Sequence, residues 1–268
     1  MPTLFEENFE VMGLRRSGLH AIVNWMVPHF SMCYFHNDSA LSLERSHFTM
    51  YCDGDPVDKH WSFQPMRSPV FINLTESMPL PEFTGKLTEY EEERARFCSN
   101  NSLTRFSTDV QFCLIIRDPF NHLASAMQSE GRWIEPEKFT SMWVEYAREY
   151  LGHTNFVVFP DSSKFWIDYN EWFQSREFRM ATSSRIGKPF TDEGLERVAT
   201  QGGGSSFDGT VFDTNAQKMD VLNRWACYMD DPIYLQYVRD EEFLFVAEQV
   251  YPELTKKVRE KLCYRPSD

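Results

Sequence analysis

The sequence predicts an α/β fold of three layers, with helices packed on both faces of a central parallel sheet. Three observations carry that expectation. Short apolar runs alternate with longer helical stretches along the chain; the runs that end at Gly13 and Ile116 are apolar enough to be strands buried on both faces; and each leads straight into a turn that opens a helix. Ligands of such sheets lie outside the carboxyl ends of the strands.

The first strand is expected over residues 8 to 13 and the first helix over 17 to 29, joined by Gly13-Leu14-Arg15-Arg16-Ser17-Gly18-Leu19-His20. Residues 40 to 66 combine aromatics with Asp53, Asp55 and Asp58 and show no clear period, so they read as a long insertion that forms a lid or binding loop. A strand over 69 to 74 follows, and the charged run from Glu89 to Arg96 reads as a solvated helical face. Phe112-Cys113-Leu114-Ile115-Ile116 marks a strand over 111 to 116, after which Asp118 caps a helix over 119 to 129 whose first residue is Pro119. Beyond it the pattern gives a helix over 136 to 151 and strands over 154 to 159 and 164 to 169. Helices are expected over 170 to 183, 191 to 199, 216 to 229, 232 to 249 and 252 to 262. Trp133, Trp143, Trp172 and Trp225 are assigned to the core. One domain over 1–268 is expected, because 42% hydrophobic and 15% aromatic content in 268 residues fills one large core and no composition break marks a linker.

The segment around Gly13 reads as a phosphate cradle. Successive backbone N–H groups at a glycine turn, added to the positive end of a helix dipole, bind an oxyanion. Gly13 and Gly18 keep the glycine spacing of the triphosphatase pattern G-x-x-x-x-G-K-[ST], but Leu19 and His20 follow, so the magnesium-binding hydroxyl is missing. A second anion site is expected where Arg117 stands at a strand end and Ser125 early in the next helix. A fork of guanidinium donors plus a hydroxyl suits a phosphate dianion.

With these residues in view, the chain resembles the sulfotransferases that use 3′-phosphoadenosine 5′-phosphosulfate (PAPS). Gly13 to His20 is similar to that family's 5′-phosphosulfate loop, and Arg117 through Ser125 to its 3′-phosphate motif. Gly202 to Gly209 lies where the family places a late loop that closes over the nucleotide. The resemblance implies a P-loop-like sulfotransferase fold. It also implies in-line transfer of a sulfuryl group from PAPS to a hydroxyl or amine of a small-molecule acceptor, with release of PAP and no metal. It places Arg15, Arg16, Ser17, Gly18, Leu19 and His20 on the 5′-phosphosulfate, Arg117 and Ser125 on the 3′-phosphate, and Ser205, Ser206 and Phe207 in the late loop. Glu76, just past the strand after the insertion, holds the family's general-base position, and His20 is the second choice; His36 and His122 are other histidines near strand ends. Arg16 stands where the family has a lysine that steadies the leaving phosphate oxygen, and Arg keeps the charge without serving as a proton donor. The insertion and the stretch from Glu130 to Glu135 are expected to wall the acceptor site. A closer resemblance is to soluble bacterial and cyanobacterial enzymes that sulfate secondary metabolites, among them guanidinium toxins of the saxitoxin type. A metal-dependent kinase or NTPase and a non-catalytic nucleotide-binding protein are the competing readings.

Charge and cysteine usage exclude other classes. A formal net charge of −13 lacks the basic stripe of a nucleic-acid binder and favours neutral or cationic acceptors. No apolar run approaches the roughly 20 residues of a membrane span, and no signal-peptide pattern is visible at Glu6, Glu7 and Glu10. Cys33, Cys52, Cys98, Cys113, Cys227 and Cys263 form no C-x-x-C pair, so reduced thiols and a cytoplasmic location are expected.

Overall fold

The computed structural model describes residues 7–37, 48–56, 70–83, 110–129, 135–157, 163–199 and 203–263, with positions 89, 92, 95 and 96 as further exposed helical residues. Seven strands form one sheet: β1 (Glu7–Gly13), β2 (Met32–Asn37), β3 (Phe48–Cys52), β4 (Asp55–Pro56), β5 (Val70–Glu76), β6 (Val110–Ile116) and β7 (Ser163–Asp168), in the order β4-β3-β2-β5-β1-β6-β7. β2, β5, β1, β6 and β7 are parallel, and β3 and β4 fold back antiparallel at one edge. β1 is central because its side chains are buried from Asn8 onward, which requires a neighbour on each edge and cover on each face.

The helices are α1 (Leu19–Met26), α2 (Pro119–Gln128), α3 (Pro136–Tyr150), α4 (Tyr169–Gln174), α5 (Arg176–Arg185), α6 (Pro232–Val238), α7 (Glu241–Val250) and α8 (Pro252–Cys263). They lie in two layers. Phe9, Val11, Ile72, Leu74, Cys113 and Ile115 point to one face, where Ile22, Val23 and Trp25 of α1 and Trp172 of α4 cover them. Met12, Leu114 and Ile116 point to the other, against Phe120 of α2, Trp143 of α3 and Phe243 of α7. The three-layer expectation therefore holds, and the crevice at the carboxyl ends of β1 and β6 is where the connections leave in opposite directions, from β1 toward β2 and from β6 toward β7.

Several boundaries differ, each for a local reason. β2, β3 and β4 were not expected, and the latter two lie inside the supposed insertion. β2 hides its strand character because His36 is buried: its Nδ1 is 2.7 Å from Asn73 Oδ1, and Asn73 Nδ2 donates to Glu10 Oε2 at 2.8 Å. These three polar residues sit side by side on β2, β5 and β1, where they satisfy one another across the register. The strand expected over 154 to 159 is irregular at 154 to 157, since the buried carboxylate of Glu149 takes the N–H groups of Phe156 and Val157 and the Thr154 hydroxyl. The helix expected over 170 to 183 divides at Ser175, whose Oγ caps α5 by accepting from Phe178 N at 3.1 Å. That over 232 to 249 divides where Asp240 caps α7. Residues 191 to 199 form turns, and 216 to 229 holds two 3-10 segments, Ala216–Lys218 and Arg224–Tyr228, in place of one helix.

Trp143, Trp172 and Trp225 are buried as expected. Trp133 and Cys98 lie outside the described residues; Cys33 and Cys113 are buried thiols, and burial drives both thiols well above their usual range.

Candidate functional site

The turn after β1 is held from below. Arg15 N donates to Ser77 Oγ at 2.9 Å, Ser77 N donates to the Gly13 carbonyl at 2.9 Å, and His122 Nε2 donates to the Arg15 carbonyl at 2.8 Å. Gly18, with φ 95°, is the N-cap of α1 and offers no side-chain cap, so the first N–H groups of α1 have no partner within the helix. A Cβ at Gly18 would stand 2.2 Å from the Tyr169 ring, so only glycine permits this approach. Arg16 also has a positive φ of 70°, a conformation that aims its guanidinium across the site to the Gly204 carbonyl at 3.3 Å.

The second expected anion site gathers more side chains than the sequence implied. Arg117, 3% exposed, donates through Nη1 to the Arg16 carbonyl at 3.0 Å and to Ser125 Oγ at 3.4 Å, and through Nη2 to the Val221 carbonyl at 2.7 Å. Its guanidinium lies 4.8 Å from the Tyr169 ring centroid. Arg224, which the sequence reading missed, donates to the same Ser125 Oγ at 3.2 Å, to Ser205 Oγ at 2.7 Å and to Asp208 Oδ2 at 2.9 Å. Burial, and then the charge of Arg117, lowers the Arg224 pKa; burial likewise lowers that of Arg16, although Glu76 opposes it. Both remain cations. The Arg16 and Arg117 Nε atoms are buried without a protein partner. A buried guanidinium donor without a partner costs free energy that a bound anion or a water can relieve.

Asn121 explains how Arg224 reaches the site. The Asp118 cap accepts from Asn121 N and Nδ2, and Asn121 in turn donates to the Leu222 carbonyl at 2.8 Å and accepts from Trp225 N at 3.0 Å. The sequence of α2 thus carries a bracket for a segment a hundred residues later. No spacing rule announces such a partner.

Glu76, at the end of β5, pairs through Oε2 with Arg15 Nε at 3.2 Å, and its Oε1 is 3.8 Å from His20 Nδ1. His20 Nε2 is 3.1 Å from Asn37 Oδ1 at the end of β2. His122 and His36 do not join this group. Burial, followed by the charge of Arg117, lowers the His122 pKa to about 3, so His122 is a neutral donor to Arg15.

One cavity of about 520 Å³ unites these parts. Its walls include Arg15, Arg16, Gly18, Leu19, His20 and Glu76 at the β1 turn, and Arg117, Ser125, Ser205 and Ser206 across from them. Tyr169, Asn37 and Arg224 are wall residues that sequence reasoning did not single out. Two expected site residues stand elsewhere: Ser17 is buried beneath the turn, with its N–H on the Leu14 carbonyl, and Phe207 backs Arg224 at 4.7 Å. Much of the remaining wall is apolar, formed by Trp172, Phe173, Leu195, Val198, Ala216 and Met219, with the charged Arg197 beside them. Of the expected acceptor walls, 48 to 56 is the β3–β4 hairpin, Glu135 precedes α3, and the rest lies outside the described residues. Among the described residues no cluster of His, Cys, Asp or Glu is placed to hold a metal ion, and no helix is long and apolar enough to cross a membrane.

No family model and no curated protein matches the chain. Among solved structures it is similar to the sulfotransferase domain from the curacin biosynthetic pathway, with a TM-score of 0.48 and 14% identity over 93% of this chain and 98% of that one. It is also similar to the sulfotransferase domain from the Synechococcus PCC 7002 olefin synthase, with a TM-score of 0.41 and 11% identity over 99% of this chain and 97% of that one.

Proposed function

We propose that the chain is a PAPS-dependent sulfotransferase, moving a sulfuryl group to a hydroxyl or amine of a small molecule and releasing PAP. The observation that carries this reading is that the β1 turn and the Arg117–Ser125 pair, on separate strands, open into one cavity with an apolar wall alongside. The β1 turn, with the free end of α1 and Arg16, would receive the 5′-phosphosulfate. Arg117, Arg224, Ser125 and Ser205 would clamp the 3′-phosphate, the group that separates PAPS from ATP. Trp172, Phe173, Leu195 and Val198 offer a surface for a flat base. In the reaction an acceptor atom attacks sulfur in line while the bond to the 5′-phosphate breaks, and fixed guanidinium groups stabilise the charge that gathers on the leaving oxygen.

On the acceptor side Glu76 is the carboxylate on the cavity wall, which favours a neutral or cationic acceptor; a guanidinium alkaloid of the saxitoxin type is one such cation. Arg15 shares that carboxylate, so charge alone selects weakly. Calorimetry with PAP, 5′-AMP and ATP tests the donor reading. PAP should bind at least tenfold more tightly than 5′-AMP, and EDTA should leave that affinity unchanged. Weak PAP binding combined with ATP binding strengthened by Mg²⁺ would overturn it in favour of a kinase or NTPase.

A further inference from the structure

We infer that Asn37 is a positioning residue that holds His20 in one tautomer, with its Nδ1 lone pair aimed into the cavity as the proton acceptor. The inference rests on the sulfuryl-transfer reading and deepens it. Asn37 closes β2 and His20 lies in the first turn of α1, so two successive elements bring an amide oxygen to 3.1 Å from Nε2. A carbonyl oxygen only accepts, so Nε2 carries the hydrogen, and in the neutral ring Nδ1 is then the unprotonated nitrogen. Nδ1 faces Glu76 Oε1 across 3.8 Å, too far for a direct hydrogen bond. An oxygen or nitrogen atom of an acceptor can lie beside that gap, off the line between the two, and hydrogen-bond to Nδ1. The Phe35 ring, edge-on at 6.5 Å between centroids, backs the imidazole on its other side.

The step balances as follows. The acceptor's O–H or N–H proton moves to Nδ1, the acceptor atom forms a bond to sulfur, and the bond from sulfur to the 5′-phosphate oxygen breaks with its electron pair on PAP. The resulting imidazolium has both N–H groups facing oxygen, Asn37 Oδ1 on one side and Glu76 on the other. Glu76, already occupied by Arg15, then serves as the counter-charge instead of the proton acceptor. This reverses the order of the two candidate bases expected from the sequence.

The test is long-range ¹H–¹⁵N NMR of the full chain labelled at histidine, with the His20 signals assigned by their loss in His20→Gln. The wild-type chain should show His20 as the Nε2–H tautomer. Asn37→Ala should convert it to a mixture with a substantial Nδ1–H fraction, and Asn37→Asp should restore the Nε2–H form. A purely structural role for Asn37 would not produce that rescue. An Nδ1–H tautomer in the wild-type chain, or a tautomer unmoved by Asn37→Ala, overturns the inference. PAP titrated into the wild-type chain separates the two failures: PAP binding with the wrong tautomer sinks only the role of Asn37, and absent PAP binding with the expected tautomer sinks the donor reading.

Discussion

Ser125 places one small hydroxyl under two guanidinium groups, and that crowding of like charge marks the site most clearly. Each charge-assisted hydrogen bond to a phosphate contributes about 1.5–3 kcal/mol. Arg224→Ala should therefore weaken PAP binding roughly 10- to 100-fold while changing 5′-AMP binding less than about twofold, measured by calorimetry. Equal losses for both nucleotides would show that Arg224 does not touch the 3′-phosphate. At Gly18 the constraint is steric as well as conformational. Gly18→Ala drives a methyl into the Tyr169 ring at a positive φ, and should cost about 1–3 kcal/mol in denaturant unfolding. A second change, Tyr169→Ala, should recover none of the conformational part of that loss.

The short helix α4 carries Tyr169 and Trp172 into the cavity wall, and its cap is a titrating group. Asp168 Oδ1 accepts from Asn170 N at 2.8 Å, yet burial raises its pKa from 3.8 to about 6. Between those values the folded state holds a proton that the unfolded chain has released, so this group's contribution is fully present at low pH and is lost as pH rises through about 6. Asn keeps the cap without the charge. Asp168→Asn should thus stabilise the fold by roughly 2 kcal/mol at pH 8 and by almost nothing at pH 4, relative to wild type at each pH. A constant difference would refute the assignment.

The neighbouring turn segment is stapled from three sides. Arg179 grips Asp192 through Nε at 2.8 Å and Nη2 at 3.1 Å, Trp25 Nε1 donates to the same carboxylate at 3.2 Å, and Arg197 Nη1 donates to the Gly54 carbonyl at 2.6 Å. Gly194 abuts the α1 backbone, where an added Cβ would lie 2.0 Å from the Asn24 carbonyl oxygen. The pair at Asp192 is partly solvated, so Arg179→Ala should cost about 2 kcal/mol instead of the larger penalty of a fully buried pair. It should also loosen the apolar wall, seen as weaker PAP binding.

Across the whole molecule, a chain of net charge −13 gathers Arg15, Arg16, Arg117, Arg197 and Arg224 around one cavity. Mutual repulsion among these cations costs stability until an anion arrives. A ligand present at a hundredfold its Kd stabilises by about 2.7 kcal/mol, which for a chain of this size raises the Tm by roughly 5–10 °C. PAP should produce that shift in a thermal melt, and 5′-AMP at the same concentration should produce a clearly smaller one.

The turn and the cap that carry the two expected anion motifs were legible because each is local: Gly13 to Gly18 is one turn, and Asp118-Pro119 announces its own helix. The same locality made β1, β5, β6 and β7 readable as apolar runs. β2 was not, because its His36 is polar in isolation and becomes burial-compatible only when Asn73 of β5 is aligned beside it. Arg224, Asn37 and Tyr169 were invisible for a related reason. Their chemistry arises from neighbours far along the chain, such as His20 for Asn37 at 17 positions and Ser125 for Arg224 at 99, and no spacing within a segment encodes those meetings. Local order along the chain therefore settled which turns could hold an anion, through backbone geometry and capping. Which side chains gather around that turn, and which partner His20 meets, was left to the packing of distant strands, since hydrogen-bond partners are chosen by distance in space.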